Sequence, residues 1–562
     1  MRKSTAIVLG AIVLGAIAVR LGPLWSFLYW GSDTAEYFTI LRSLVRTGHV
    51  STTYDGWGIT YPYFPGVFFP QAGLVQLGGL DVPTVLNLLV PVLGAFAVVP
   101  MFLLAVRIAK EDRIGLFAAA FLAGALPHAY TTAHSAPATL GDLLAISGLL
   151  FFLRLRTDGR AFVPLSLVAG ALILTHHLSL YFFVLMVLGA IVLRGLARPW
   201  RMDAESVRQV AFAAVLITGT FAYWFGYATA FQKSIVTDVD IRPWWLLFVG
   251  FAVGLVAFAA LIGARRRLRW HYRPSVPGLR RSAAWFVAAV GTISIIGLVT
   301  VVSGVPGTTF RVPLPGLLYF VPLTLLMSLS ASGRKFLDLE REGVHPNAWV
   351  VVLLSSAVVG IAVAPRVLIP YRHTEYLMIP FAVFAGVGLF RLLDLGGVRG
   401  RGRYAAIALG GGLLLANGFA GIPPPSALAG WREGTIPAAL DPAYWSRDHL
   451  SGLVVSDHHG SSTVFGFGGV NATWDRTRTP FSDPVWNATD FIGIESPSGR
   501  KNGTYVWIDQ DMEAGVRLTP WEPAAPMDPA VIAKFEMSPF VKVFDNGYAR
   551  IYWIAWGCDS AC

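Results

Sequence analysis

The sequence predicts an α-helical polytopic membrane protein of about thirteen transmembrane helices, with a small C-terminal extracytoplasmic α/β domain. Three observations carry this prediction. Hydrophobic residues make up 55% of the 562 residues and charged ones only 14%, at a mean hydropathy of +0.59; a soluble chain is about one quarter charged. The apolar stretches are long and nearly free of charge, as helices that satisfy their own backbone in lipid must be. Basic residues are rich and poor by turns in the segments between these stretches.

The spans fall at roughly 5–20, 84–107, 114–127, 139–154, 162–175, 178–194, 208–230, 243–263, 283–304, 313–331, 347–364, 377–394 and 403–421, by apolar run length. With the N-terminus in the cytoplasm, the segments on that side hold about 26 of the 44 Lys and Arg, among them Arg265, Arg266, Arg267 and Arg269. The short external loops hold only Lys233, Arg242, Arg311, Arg366 and Arg372. The net charge of +11 is therefore a sign of topology, and nucleic acid is not expected as a partner. The expected location is the cell membrane, multi-pass, with the C-terminal domain outside. The sequons at Asn471, Asn487 and Asn502 all fall in that external part. So do Cys558 and Cys562, which are either a local disulfide or two thiols. Arg2 and Lys3 precede the first apolar run, and Ala16-Ile17-Ala18 has the pattern of a leader cleavage site. We read the run as a retained helix, because the loop after it looks tied to it.

Residues 1–421 form the transmembrane domain, within which 21–83 is a long first external loop; residues 422–562 form the soluble domain, opened by Ile422-Pro423-Pro424-Pro425. In that domain Leu453–Ser456 and Thr504–Ile508 read as strands, and Asp528–Phe535 as a helix. Asp545-Asn546-Gly547 reads as a hairpin turn. The polar cluster Ser456-Asp457-His458-His459-Gly460-Ser461-Ser462 reads as a loop after a strand, and most of the tryptophans Trp474, Trp486, Trp507 and Trp521 as core or membrane-facing.

The first external loop carries the chemistry. Apolar residues at 37, 38, 40, 41, 44 and 45 predict one face of a short helix lying on the membrane surface, stopped at Gly48. Asp33 and Glu36 then share its first turn. Such a pair is a helix cap by one reading, and by the other a catalytic carboxylate or metal ligand beside the membrane. Asp142, inside the fourth span, is costly in lipid and so is expected to face the bundle interior.

Three patches together resemble the first external loop of the GT-C superfamily of integral membrane glycosyltransferases: Gly31-Ser32-Asp33-Thr34-Ala35-Glu36-Tyr37, the stretch from Leu41 to His49, and Tyr61-Pro62-Tyr63-Phe64-Pro65-Gly66. That superfamily includes protein O-mannosyltransferases, aminoarabinose transferases and oligosaccharyltransferase catalytic subunits. The resemblance implies a GT-C-like transmembrane domain over 1–421 and transfer of a sugar from a polyprenyl-phosphate-linked donor. The acceptor, a protein, glycan or lipid, would be met on the extracytoplasmic face, with membrane lipid around the carrier.

By position the resemblance makes Asp33 the general base or a metal ligand, and Glu36 falls near but not at the second acidic position. Whether a divalent cation, Mg or Mn, joins them is left open. Tyr376-Leu377-Met378-Ile379-Pro380 resembles the stretch that follows an Arg in the superfamily, which points to Arg366, Arg372 and His373 for the donor phosphate. An Arg suits that task because its planar fork donates in pairs. His176 and His177, after Thr175, resemble another stretch seen at this place and join them as phosphate-binding candidates. Tyr61, Tyr63, His134, Asp142, Glu375 and Tyr376 complete the expected substrate-binding set.

Two other readings stand beside this one. An oligosaccharyltransferase-like catalytic subunit would carry a Trp-Trp-Asp-Tyr-Gly stretch after the last span, for which Ala443-Tyr444-Trp445-Ser446 is a poor substitute. A non-enzymatic transporter or scaffold would show internal repeats and broken helices near the midplane, which the sequence does not suggest.

Overall fold

A computed structural model describes residues 2–54, 56, 58–197, 204–238, 279–305, 311–333, 342–362, 368–394, 401–424, 427, 433–473, 478–496, 498–515 and 526–556. Nine helices among the described residues are long and apolar enough to cross a membrane, and the apolar helices Gly159–Thr175 and Tyr404–Ala420 are shorter. In chain order the helices are α1 Lys3–Leu21, α2 Thr34–Thr47, α3 Phe68–Gly78, α4 Val82–Phe96, α5 Val98–Ala109 and α6 Asp112–Gly124. Then come α7 Leu126–Thr131, α8 Pro137–Leu155, α9 Phe162–Thr175, α10 His177–Ala197, α11 Ala204–Gly226 and α12 Thr229–Asp238. The bundle ends with α13 Leu279–Val302, α14 Leu317–Gly333, α15 Val344–Ala362, α16 His373–Asp394 and α17 Arg401–Ala420.

Outside 243–263, which lies beyond the described residues, each expected span coincides with a helix. The second is interrupted: α4 stops at Phe96 and α5 resumes at Val98. Pro91 inside α4 removes one helical hydrogen bond, and Pro100 sits in the first turn of α5, where its missing N–H costs nothing. Phe121, Phe152, Phe182, Phe183, Met186 and Trp349 form the dry centre of the bundle. The first helix belongs to it: Ala16 is fully buried and Arg20 bonds across to α6 and the turn after α7.

After the bundle come α18 Pro437–His449 and α19 His458–Thr463, and a four-stranded sheet in the order β3-β6-β8-β7. Its strands are β3 Leu453–Val455, β6 Gly503–Asp509, β7 Phe540–Asp545 and β8 Ala549–Ile554, with β3 parallel to β6 and the other pairs antiparallel, while β4 Ile494–Ser496 and β5 Gly499–Lys501 pair with each other. The hairpin turn falls as expected at Asn546-Gly547, where Gly547 takes φ +82°. Of the tryptophans, Trp507 lies in the sheet core and Trp486 packs on Phe491 and Phe540, while Trp474, Trp521, Cys558 and Cys562 lie outside the described residues.

A helix on the membrane surface was expected at α2, and there the structure differs. Its apolar face is covered by protein, because Ala35, Tyr37, Phe38, Leu41 and Leu44 share one hydrophobic core with Val464, Phe467, Val506 and Tyr552. Phe467 stacks on Tyr29 at 4.9 Å and tilts against Phe38 at 5.0 Å. Gly466 permits this approach, since a Cβ there would fall 2.4 Å from the Ala35 carbonyl oxygen. A two-residue ribbon completes the join: β1 Tyr29–Trp30 pairs antiparallel with β2 Gly434–Thr435.

Candidate active site

Asp33 stands at the N-cap position of α2, yet its carboxylate makes no capping hydrogen bond. The hydroxyl of Tyr61 donates to Asp33 Oδ2 at 2.8 Å, and the hydroxyl of Tyr37 donates to that of Tyr61 at 3.3 Å. Glu36 does not reach back to the N-cap either; it accepts from the hydroxyl of Tyr54. The cap reading of the pair therefore fails. Gly31 makes the entry turn possible, at φ +127° and with its carbonyl accepting from Thr34 N–H at 3.1 Å.

The two carboxyl groups sit in different surroundings. Glu36 is 1% exposed, and burial pushes its pKa up to about 8 against the lowering pull of the Tyr54 hydroxyl and of nearby His458. It is a neutral acid at the pH of most cells. Asp33 is half-buried and is bonded by Tyr61 through Oδ2.

Arg372 ends the turn Pro370–Arg372 that leads into α16, and Nη1 lies 3.4 Å from Glu375 Oε2. Its side chain is 35% exposed where that of Glu375 is 3%, and the guanidinium carbon lies 5.9 Å from the Tyr371 ring centroid. The turn begins at Ile369 with φ +43°, a costly backbone for a branched residue. Asp33 and Arg372 act on the same neighbours. Burial raises the pKa of Tyr37, Asp33 adds to the rise, and Arg372 opposes it. His134 is held below the ordinary imidazole value by burial; Glu433 and Asp33 pull it up and Arg372 pushes it down. Tyr37 and His134 thus lie within electrostatic reach of both the carboxylate and the guanidinium.

Behind Arg372 lies a polar cluster inside the bundle. Asp142 accepts from Ser179 Oγ at 3.4 Å and lies in hydrogen-bonding contact with Glu375. Ser179 also bonds the Tyr376 hydroxyl at 2.6 Å and His176 Nδ1 at 2.7 Å. On the far side His128 Nε2 lies 3.9 Å from Asp142, and its Nδ1 contacts Arg20 at 3.1 Å. Asp142 faces the bundle interior, as its cost in lipid requires.

The remaining expected residues divide. His177 packs on Phe64 and Phe231, at 5.2 and 4.5 Å. Tyr63 turns to the α11–α12 corner, where its hydroxyl meets Thr229 Oγ1 at 3.2 Å. His373 is buried with Nδ1 on the Pro370 carbonyl at 3.1 Å and Nε2 on Ser356 Oγ at 2.8 Å, which leaves neither nitrogen for a phosphate. That corrects its expected role. Arg366 lies outside the described residues.

A metal was left open at Asp33 and Glu36. Among the described residues no group of three or more His, Cys, Asp and Glu side chains could hold an ion. Asp33 accepts from Tyr61 and Glu36 from Tyr54, each on one oxygen, and Glu36 Oε1 is buried with no hydrogen-bond partner.

Sequence reasoning missed Tyr54, Ser179, Arg20 and Glu433, all polar side chains with partners far along the chain. It took His458 for part of a surface loop, whereas the cluster is buried, Asp457 caps α19 through Gly460 N–H at 2.8 Å, and His458 comes near Glu36.

No protein-family model matches this sequence, and no curated protein does. Solved structures match the fold. One is an Archaeoglobus fulgidus oligosaccharyltransferase tethered to an acceptor peptide containing the NVT sequon, at TM-score 0.57 and 15% identity over 91% of this chain and 70% of that one. Another is the same enzyme in complex with Zn and sulfate, at TM-score 0.54 and 13% identity over 90% and 68%. ArnT from Cupriavidus metallidurans, in the apo state, aligns over 97% of both chains at TM-score 0.49 and 13% identity. The fold of this chain is that of the archaeal oligosaccharyltransferase.

Proposed function

We propose that this chain is a membrane glycosyltransferase that moves a sugar from a polyprenyl-phosphate-linked donor to an acceptor on the extracytoplasmic face. What supports the reading is the Asp33 carboxylate held by the Tyr61 hydroxyl, with Arg372 close enough to act on the same Tyr37 and His134. Asp33 acts as general base and takes the proton of the acceptor hydroxyl on the oxygen that Tyr61 does not bond. The acceptor oxygen bonds to the anomeric carbon as the bond from that carbon to the phosphate oxygen breaks. The electron pair stays on the phosphate, whose charge Arg372 meets. Tyr61 holds the carboxylate in one orientation, and Glu36, neutral, anchors Tyr54 beside it without serving as a base. Asp142, Glu375 and Tyr376 brace Arg372 from behind, and His134 lines the acceptor side.

An oligosaccharyltransferase-like reaction, with a polyprenyl-diphosphate oligosaccharide and a peptide acceptor, has the likeness to the archaeal enzyme in its favour. Asp33→Asn and Arg372→Ala test the shared core of both reactions. Asp33→Asn should cut sugar transfer at least about 100-fold with undecaprenyl phosphate binding unchanged. Arg372→Ala should weaken undecaprenyl phosphate binding by about 30-fold or more, the worth of a charge-assisted contact. Transfer at the normal rate in Asp33→Asn would overturn the mechanism, and unchanged binding in Arg372→Ala would remove that residue from the donor site.

A further inference from the structure

Glu433 lies where the chain leaves the bundle for the sheet domain, and it is 5% exposed. Its backbone carbonyl accepts from Gly31 N–H at 2.8 Å and its Oε2 from Ser32 N–H at 2.7 Å. Its Oε1 accepts from the Tyr130 hydroxyl at 3.0 Å, and Oε2 lies 3.9 Å from His134 Nε2. Glu433, by its backbone and side chain together, thus joins the two residues before Asp33 to the segment that carries Tyr130 and His134.

We propose that Glu433 is a positioning residue for Asp33, an inference that rests on the reading of Asp33 as general base. The backbone just before Asp33 is held from outside the loop. Gly31 stands at φ +127°, a conformation that glycine enters and leaves at little cost, so beyond the Thr34 bonds to the Gly31 and Trp30 carbonyls this turn needs added stiffness. The Glu433 carboxylate supplies it through a charge-assisted bond to Ser32 N–H. The same carboxylate sets the distance from Asp33 to His134, the imidazole that also feels Arg372. Two donors, Ser32 N–H and the Tyr130 hydroxyl, point at the two oxygens, so the site is built for a carboxylate. A Gln can accept from only one of them and must turn its amide N–H₂ on the other.

The test uses the full chain in detergent with Glu433→Gln, Glu433→Ala and Tyr130→Phe. Three quantities are read: hydrogen exchange of the segment 28–36, binding of undecaprenyl phosphate, and turnover of lipid-linked sugars extracted from the source membranes. Glu433→Gln and Glu433→Ala should speed exchange in 28–36 and lower kcat by about 30-fold. Their donor KM and undecaprenyl phosphate affinity should stay within about twofold, since Arg372 is untouched. Tyr130→Phe, which keeps the Ser32 contact and tests the outcome if Glu433→Ala does not fold, should lose less than about fivefold in kcat. Combined with Asp33→Asn, Glu433→Gln should cause no further loss, because a positioning residue has nothing left to position. Normal kcat in Glu433→Gln, or losses that add to those of Asp33→Asn, would overturn the inference. Unchanged exchange in 28–36 would overturn the clasp itself. A wild-type chain that binds undecaprenyl phosphate and shows the exchange difference, yet transfers no sugar, would overturn the transferase reading instead.

Discussion

Glu36→Gln should change how the stability of this protein depends on pH. Glu36 is buried on α2, and its pKa stands at about 8 against an ordinary 4.5. Below about pH 4.5 the carboxyl is protonated in folded and unfolded chains alike, and burial costs nothing extra. As the pH rises from there the unfolded chain releases the proton while the folded chain keeps it, so stability declines until about pH 8. The full difference is about 5 kcal/mol, at about 1.4 kcal/mol per pKa unit. A glutamine in its place has no proton to lose and keeps an acceptor for Tyr54. The two proteins should therefore melt together near pH 5, and the Glu36→Gln variant should melt several degrees higher near pH 9. Every other titrating group is common to both, so the difference between the two curves isolates this side chain. The assay is the apparent Tm in one detergent from pH 5 to 9. Parallel curves would refute the reasoning, since they would mean that Glu36 ionises as an exposed carboxyl does.

Tyr61→Phe removes the hydroxyl that steadies Asp33 and leaves the ring packing on Tyr37, so transfer should fall by about 5- to 10-fold with the Tm little changed. A loss as deep as that of Asp33→Asn, measured side by side, would mean that Tyr61 handles a proton itself. Gly466→Ala sets a Cβ within 2.5 Å of three Ala35 atoms, so it should destabilise the join of α2 and the sheet domain by about 1–3 kcal/mol. Limited proteolysis should then cut near α2 sooner than in the wild type, and an unchanged cleavage pattern would argue against close packing there.

What could be read in advance follows a physical line. Span positions depend on the apolar length needed to cross lipid, a property local to each stretch, and so the described helices coincide with them. The Asn546-Gly547 turn and the stop at Gly48, φ +75°, are local in the same way. The cap at Asp33 was also a local inference, but the Tyr61 hydroxyl, 28 positions on, competes for that carboxylate and wins. The α2 face reads as lipid-facing in isolation because an apolar stripe does not say whether lipid or Phe467 covers it. Glu433 left no signal at all: a single Glu in a linker looks like any solvated charge until Ser32, 401 residues earlier, is set beside it.

The ribbon between Tyr29–Trp30 and Gly434–Thr435 has a consequence for how the protein is made. A ribosome adding about 5–20 residues per second needs some 20 to 80 seconds to travel from one half of that pair to the other. Throughout that interval the aromatic side of the first loop is uncovered. Its finished shape must wait for the last part of the chain to emerge, so a truncated transcript would leave a bundle that inserts normally but carries a sticky, unfinished outer face.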